Sequence, residues 1–239
     1  MESFYSYKTK ISEIAAIYTE NQFRKLCETD KSYLEKQYVV VPSEISRGER
    51  PIRIHKGDLP KNCTAIFTGK VEPLYLAYYL NSTACQFLLF DGDFNRRNKV
   101  KVNRKKLVDI PVACTRAEWE EYYCFAEVSR IQMAKSVSRA KTDNDIEIQG
   151  LLTSSMEDLC DALAIEIFTH PFLFSRGVEI LRHWIPIVDE FMKTQNAKVI
   201  VEGILGSDSL LRNQLMKLHM VANNLETTMK NELSDGVED

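Results

Sequence analysis

The chain has 239 residues, 44% hydrophobic and 27% charged, which excludes a disordered protein because enough apolar surface is present for one large or two small domains. No apolar run reaches the roughly 20 residues of a membrane-spanning helix, and residues 1–10 lack the apolar centre of a secretory signal, so we expect a soluble, cytoplasmic protein. The net charge of −3 conceals an asymmetry, since residues 1–112 hold 19 Lys and Arg against 13 Asp and Glu, whereas the rest hold 12 against 21.

The six cysteines are spread singly, with no Cys-x-x-Cys pair and no histidine at the spacing of metal ligands. In a cytoplasmic protein such cysteines are expected to be reduced and mostly buried.

Residues 1–112 mix strand and helix signals and are predicted to form an α+β domain with a small twisted sheet. Short β-branched runs at 38–41, 52–54 and 65–67 predict strands. A loose helical spacing predicts a helix over 11–26, and Pro73 stands where it can open a second helix that runs to Asn81.

Residues 113–142 are predicted to form one long helix. Thr115 and Glu118 make a capping box, in which the threonine hydroxyl accepts from a backbone N–H of the first turn while the glutamate reaches back. Aromatic and apolar residues then recur at steps of three and four towards Lys141.

Residues 143–239 are acidic and predicted to form a helical domain or bundle. Ser155 is expected to cap one helix, Pro186 to kink another, and Ser207 to cap the most regular stretch. Apolar residues there step by four and three, which is typical of a coiled coil or helical hairpin. They are Leu211, Leu215, Leu218, Ala222, Leu225 and Met229.

The string at 73–82, Pro-Leu-Tyr-Leu-Ala-Tyr-Tyr-Leu-Asn-Ser, resembles a helix that recurs in the target-recognition domains of type I restriction-modification specificity subunits. Leu107–Val112 is similar to the family's Leu-x-x-Ile-Pro strand that closes the domain, and the helix from Thr115 is similar to its spacer helix. The chain departs from the family at Cys85-Gln86, where Gly-Gln is usual, and after Pro111, where a second proline is usual. The tail after Asp143 matches nothing in the family.

The resemblance covers about residues 50–141 and implies a half-subunit with a single recognition domain. It implies a non-catalytic protein that binds double-stranded DNA, docks on a DNA methyltransferase subunit and restores two-fold recognition by pairing with itself.

Two clusters have the side chains that DNA recognition needs, since Lys and Arg offset phosphate charge while Arg and Asn match base edges. The candidate DNA-binding residues are Arg50, Arg53 and Lys56 in the first cluster, and Asn95, Arg96, Arg97, Asn98, Lys99, Lys101, Asn103, Arg104 and Lys105 in the second. The alternative is that these charges are only solvated, or that the alternation from Asn98 to Lys101 is a strand edge protected by lysines.

Two stripes are candidate docking surfaces for the methyltransferase subunit or a second copy, with packing inside the monomer as the alternative. Their residues are Trp119, Tyr122 and Tyr123 in the predicted spacer helix, and Leu211, Leu215, Leu218 and Leu225 in the tail.

No phosphate-binding glycine loop, nucleophile elbow or adenine-methyltransferase tetrapeptide is present, so we predict no catalytic residue, metal or cofactor. The leading hypothesis is a DNA-specificity module. The second is a protein-interaction or regulatory protein that keeps the recognition-domain scaffold without reading DNA, which the net negative charge and the unfamiliar tail favour.

Overall fold

The structure is a computed structural model that describes residues 5–46, 49–90, 99–115, 117–139 and 141–234. The chain divides into two compact units, an N-terminal unit of residues 1–128 and a C-terminal unit of residues 129–239. The fold class is α+β, with small antiparallel sheets and long helices. The division differs from the three parts expected from the sequence, because it falls inside the long helix and not at its ends.

In the described part of the N-terminal unit, eight strands form three sheets, and every pairing among them is antiparallel. The largest sheet has the strand order β2-β6-β3-β5, while β1 pairs with β8 and β4 pairs with β7. The strands are β1 (Tyr5–Lys10), β2 (Ala15–Thr19), β3 (Tyr38–Pro42), β4 (Glu44–Ser46), β5 (Arg53–His55), β6 (Cys63–Thr68), β7 (Lys99–Lys101) and β8 (Pro111–Thr115).

The predicted strands in the centre of this unit are confirmed as β3, β5 and β6. Four consecutive residues of β3, Tyr38 to Val41, are fully buried, because one face of the sheet packs on helix α3 while the other covers an aromatic cluster. In that cluster the ring of Phe23 lies 5.1 Å from Tyr38 and 6.0 Å from Phe67. The run from Tyr38 to Val41 is thus a strand buried on both faces, which fits its continuous apolar sequence.

The single helix predicted over residues 11–26 is wrong. The chain forms a short turn α1 (Ile11–Ile14), then β2, and only then helix α2 (Glu20–Thr29), with a 3₁₀ turn at Lys31–Glu35. The segment from Ala15 pairs along its length with β6, and Thr19 then starts α2 through a full capping box with Gln22. That Thr-x-x-Gln box is a sequence signal for the helix start that the loose apolar spacing obscured.

We expect the Thr19→Ala substitution to lower the free energy of unfolding by about 1 kcal/mol, because it removes the acceptor for the N–H of Gln22. Urea unfolding of the full chain measures this. Ser12→Ala, at an exposed position of α1, is the control and should leave the midpoint unchanged. Equal stability of the two variants would contradict the role of the cap.

The helix predicted at Pro73 is confirmed as α3 (Pro73–Asn81), with the proline at its start and every residue from Tyr75 to Asn81 buried. Its N-terminus has no cap from its own residues; instead the carboxylate of Glu120 accepts from the N–H of Glu72 at 2.9 Å. Burial of Glu120 raises the pKa of its carboxyl group.

Helices α4 (Thr83–Phe90) and α5 (Arg104–Asp109) complete the part before β8. The strand expected over Leu107–Val112 is only partly correct, because residues up to Asp109 are helical and the strand begins at Pro111. Asn103 caps α5 by accepting from the N–H of Lys105, which explains the helical start.

The long helix predicted over residues 113–142 is confirmed in part as α6 (Ala117–Val137): residues up to Thr115 belong to β8, and the helix ends before Lys141. The next helix starts at Asp143, where Thr142 caps it by accepting from the N–H of Asp145 at 3.1 Å.

The C-terminal unit is helical, as predicted. Its helices after α6 are α7 (Asp143–Ser175), α8 (Ile180–Thr194), α9 (Ala197–Leu205) and α10 (Leu210–Ser234). No helix among the described residues is both long enough and apolar enough to cross a membrane.

Three local predictions for this unit are corrected. Ser155 lies inside α7, because the start of that helix is already fixed at Thr142. Ser209, not Ser207, caps α10 by accepting from the N–H of Arg212. The interruption of helical geometry occurs at Thr169 in α7, two residues before Pro171, whereas α8 runs through Pro186. Pro171 has no N–H for the carbonyl one turn earlier, which accounts for the break.

A buried carboxylate joins α7 to α8. Glu166 is only 2% exposed, and its two oxygens accept from the N–H groups of Ile180 at 3.1 Å and Leu181 at 2.8 Å. Since α8 has no cap from its own residues, Glu166 supplies one. Burial raises the pKa of Glu166 to about 7.

Candidate nucleic-acid interface

The two-stranded ribbon of β4 and β7 presents two lysines on one face. Ser46 lies opposite Lys99, Ile45 opposite Val100 and Glu44 opposite Lys101. Ile45 is buried, so the alternation of a strand directs Lys99 and Lys101 to the other face, where both are exposed and where Glu44 lies opposite Lys101. Neither side chain forms a hydrogen bond or ion pair with a residue that the structure describes.

This pairing places Lys99 of the second basic cluster opposite Ser46, which lies four residues before Arg50 of the first cluster. Beyond β4, the N–H of Glu49 donates to the carbonyl of Ser46 at 3.1 Å. Arg50 is partly buried, whereas Arg53 on β5 is exposed. We call β4, β7 and residues 49–53 the basic ribbon.

A buried asparagine holds the loop of the basic ribbon. Asn81, at the end of α3, accepts from the N–H of Ile52 at 3.1 Å and donates to the carbonyl of the same residue at 2.6 Å. Its amide thus pairs with Ile52 as a neighbouring strand would. Gln86 adds a third bond by donating to the carbonyl of Glu49 at 3.0 Å. Residues 49–52 are therefore anchored at both ends to the junction of α3 and α4.

The neighbouring serine organises the junction itself. Ser82 donates to the carbonyl of Tyr79 at 2.7 Å and accepts from the N–H of Cys85 at 3.2 Å, so it ends α3 and caps α4. Cys85 is fully buried, and burial raises its thiol pKa far above the usual value. The string from Asn81 to Gln86 thus has a structural task that sequence analysis missed: it predicted only that Asn81 would close the helix.

Two candidate residues of the second cluster are engaged in internal structure. The side chain of Asn103 caps α5, and the guanidinium of Arg104 donates to the carbonyl of Ile17 at 3.1 Å and to the amide oxygen of Gln22 at 3.2 Å. Lys105 is exposed beside them. In this conformation Asn103 and Arg104 position α5 against β2 and α2.

Lys56, in the first cluster, pairs with Glu35 at 2.8 Å, and this hydrogen bond holds the pKa of the Glu35 carboxyl below its usual value. Both side chains are more than half exposed, so the pair adds little stability. The predictions for Asn95, Arg96, Arg97 and Asn98 fall outside the described residues.

No protein-family model matches the chain, and no curated protein is significantly similar to it in sequence. The resemblance to specificity subunits therefore depends on the quoted residues alone.

The aromatic stripe of α6 is divided between interior and surface. Tyr123 is fully buried, with its ring 5.6 Å from that of Tyr75 and 5.7 Å from that of Tyr78, so the prediction that it forms part of a docking surface is wrong for this conformation. Trp119 and Tyr122 are partly exposed, with ring centres 6.1 Å apart.

The leucine stripe of α10 is also interior. Leu211, Leu215 and Leu218 are each at most 9% exposed, because α10 packs on α7, α8 and α9. They form core, which was the alternative to a docking surface. The side chain of Leu225 lies outside the described part.

Among the described residues no group of three or more His, Cys, Asp or Glu side chains has the arrangement of a metal site. The five cysteines that the structure describes fully are free thiols, of which Cys85 and Cys160 are buried.

Proposed function

We propose that this chain is a sequence-specific, double-stranded DNA-binding module of a restriction-modification system, itself without a catalytic role. The observation that supports this most directly is the pairing of β4 with β7, which places Lys99 and Lys101 on the exposed face of a ribbon whose first strand ends four residues before Arg50.

The shape of the basic ribbon suits this role. The major groove of B-form DNA admits a two-stranded antiparallel ribbon, and lysines on its exposed face offset phosphate charge. Asn81 and Gln86 fix the backbone of the loop that carries Arg50, and a preorganised backbone loses less entropy on binding.

In this proposal the N-terminal unit is a target-recognition domain and α6 contains the spacer. Trp119 and Tyr122, which are still accessible, are the residues through which a methyltransferase subunit would dock. Catalysis then belongs to that partner in the cytoplasm.

Fluorescence anisotropy with a randomised duplex pool, at low and at moderate salt, tests the proposal. We expect the full chain to bind more weakly as salt rises, and the bound fraction to be enriched in a short motif. Lys99→Ala with Lys101→Ala should weaken binding about tenfold or more and reduce the slope of log affinity against log salt by about 2.

Lys25→Ala with Lys31→Ala removes the same charge from exposed positions on or beside α2, and it is the matched control. Equal losses in both double variants would mean that net charge, and not the basic ribbon, governs binding. Absence of binding by the wild type at low salt would contradict the proposal and favour a protein-interaction role.

A further inference from the structure

A groove between two helices of the C-terminal unit exposes apolar side chains on both walls. Leu151 of α7 and Met216 of α10 line opposite walls, and the largely buried Ile204 and Leu215 form its floor. We call it the α7–α10 groove; its volume is about 280 Å³. It lies wholly within one compact unit.

The exposed apolar surface continues along each wall. Ile148 lies three residues before Leu151 on α7, and Met220 lies four residues after Met216 on α10, so each pair shares one helix face. All four side chains are between 47% and 65% exposed. Single exposed apolar residues are ordinary, but four around one groove form a continuous patch of the kind that marks an interface.

The two walls differ in charge. The α7 wall has Asp158 in the groove, and Glu147 lies one turn before Leu151 on the same face. The α10 wall has Arg212 and His219. Arg212 donates to the carbonyl of Leu205 at 2.7 Å, which holds its guanidinium at the edge of the groove. One wall is therefore acidic and apolar, and the other is basic and apolar.

We propose that a second copy of this chain docks in the α7–α10 groove and forms a two-fold dimer. The α7 wall of one copy lies on the α10 wall of the other, and symmetry repeats the contact in the opposite direction. The inference does not depend on DNA binding, and the contact is made by the exposed walls of the groove, while the leucine stripe of α10 contributes only Leu215 to its floor.

A second copy fits better than an unrelated protein because the groove is complementary to itself. Any occupant must offer an acidic apolar face to the α10 wall and a basic apolar face to the α7 wall. The chain has both faces side by side, so one interface satisfies both walls and places carboxylates opposite cations.

Sedimentation velocity of the full chain, from about 1 to about 100 µM, tests the proposal in the range where weak, specific pairs dissociate. We expect wild type to shift from monomer to dimer across this range. Leu151→Lys sets a cation against the basic α10 wall, and Met216→Glu sets an anion against the acidic α7 wall. Each is expected to weaken the dimer about tenfold or more, because a like charge is placed in a desolvated contact.

A mixture of the two variants is the decisive sample. In a two-fold dimer, Leu151→Lys of one copy faces Met216→Glu of the other, while the second contact of that pair stays wild type. We therefore expect the mixture to dimerise again, although neither variant does so alone.

Met192→Glu is the matched control, since Met192 is equally exposed but lies on α8 away from the groove, and it should dimerise as wild type does. Circular dichroism checks that every variant is folded. We expect all of them to fold, because the substituted side chains are exposed. A wild type that stays monomeric throughout, a dimer unaffected by either variant, or a mixture that stays monomeric would each overturn the proposal.

Discussion

Replacing Asn81 with alanine is expected to lower the free energy of unfolding by about 3 kcal/mol, one of the two largest effects that we predict for this protein. The substitution removes both hydrogen bonds to Ile52 and leaves a backbone N–H and a carbonyl without partners at a residue that is 2% exposed. Unsatisfied buried groups cost more than the bonds themselves contribute, because water cannot reach them.

Urea unfolding of the full chain measures the loss, and hydrogen exchange followed by mass spectrometry locates it. Exchange should quicken most in peptides that cover residues 49–56. Asn21→Ala, an exposed asparagine on α2 of the same unit, is the matched control and should change neither measurement. A loss of stability without faster exchange in that segment would show that Asn81 does not anchor the basic ribbon.

The second large effect concerns Glu166. Glu166→Ala removes the acceptors for the N–H groups of Ile180 and Leu181 at the start of α8, and we expect a loss of about 3 kcal/mol in the free energy of unfolding. The C-terminal unit contains Trp184, which is fully buried, so its fluorescence in a Trp119→Phe background reports this unit separately.

The same residue makes stability depend on pH. The pKa of Glu166 is raised to about 7 from a usual value of 4.5, so between these values the folded state binds more protons than the unfolded state. The contribution of this proton uptake to the free energy of unfolding is therefore fully present below about pH 4.5, and it is lost as pH rises through 7. The raised pKa corresponds to a change on the order of 3 kcal/mol across that window.

Urea titrations at several pH values between 5 and 8, compared with the Glu166→Gln variant, check this dependence. The amide cannot ionise, so its slope of stability against pH should be smaller than that of wild type. Glu190→Gln, at an exposed position of α8, should keep the wild-type slope. If Glu166→Gln retained the full slope, the dependence would arise from other groups.

Local signals in the sequence gave correct predictions where one short segment contains the whole cause. Pro73 starts α3 because its missing N–H costs nothing at the first helical position, and the β-branched run after Tyr38 forms β3 because such residues favour extended backbone. The prediction of one helix from Ile11 failed because the mixed spacing of its apolar residues is compatible with a helix or with a strand. The pairing of Ala15–Thr19 with β6 makes that part a strand.

The candidate site shows the same division. Exposed lysines at 99 and 101 followed from composition and alternation, whereas the internal tasks of Arg104, Asn103 and Tyr123 did not, since each depends on a neighbour supplied by folding. The partner of Arg104, for example, is the carbonyl of Ile17, far away along the chain.

The sequence by itself determined the α+β class of the first part, the helical character of the tail and several helix starts, because capping, proline and β-branching act within a few residues. Only the tertiary structure decided that Ser46 lies opposite Lys99, that Asn81 holds Ile52 and that Glu166 caps α8. These contacts join residues distant in sequence, and each depends on a partner that only folding brings within reach, so no local pattern encodes them.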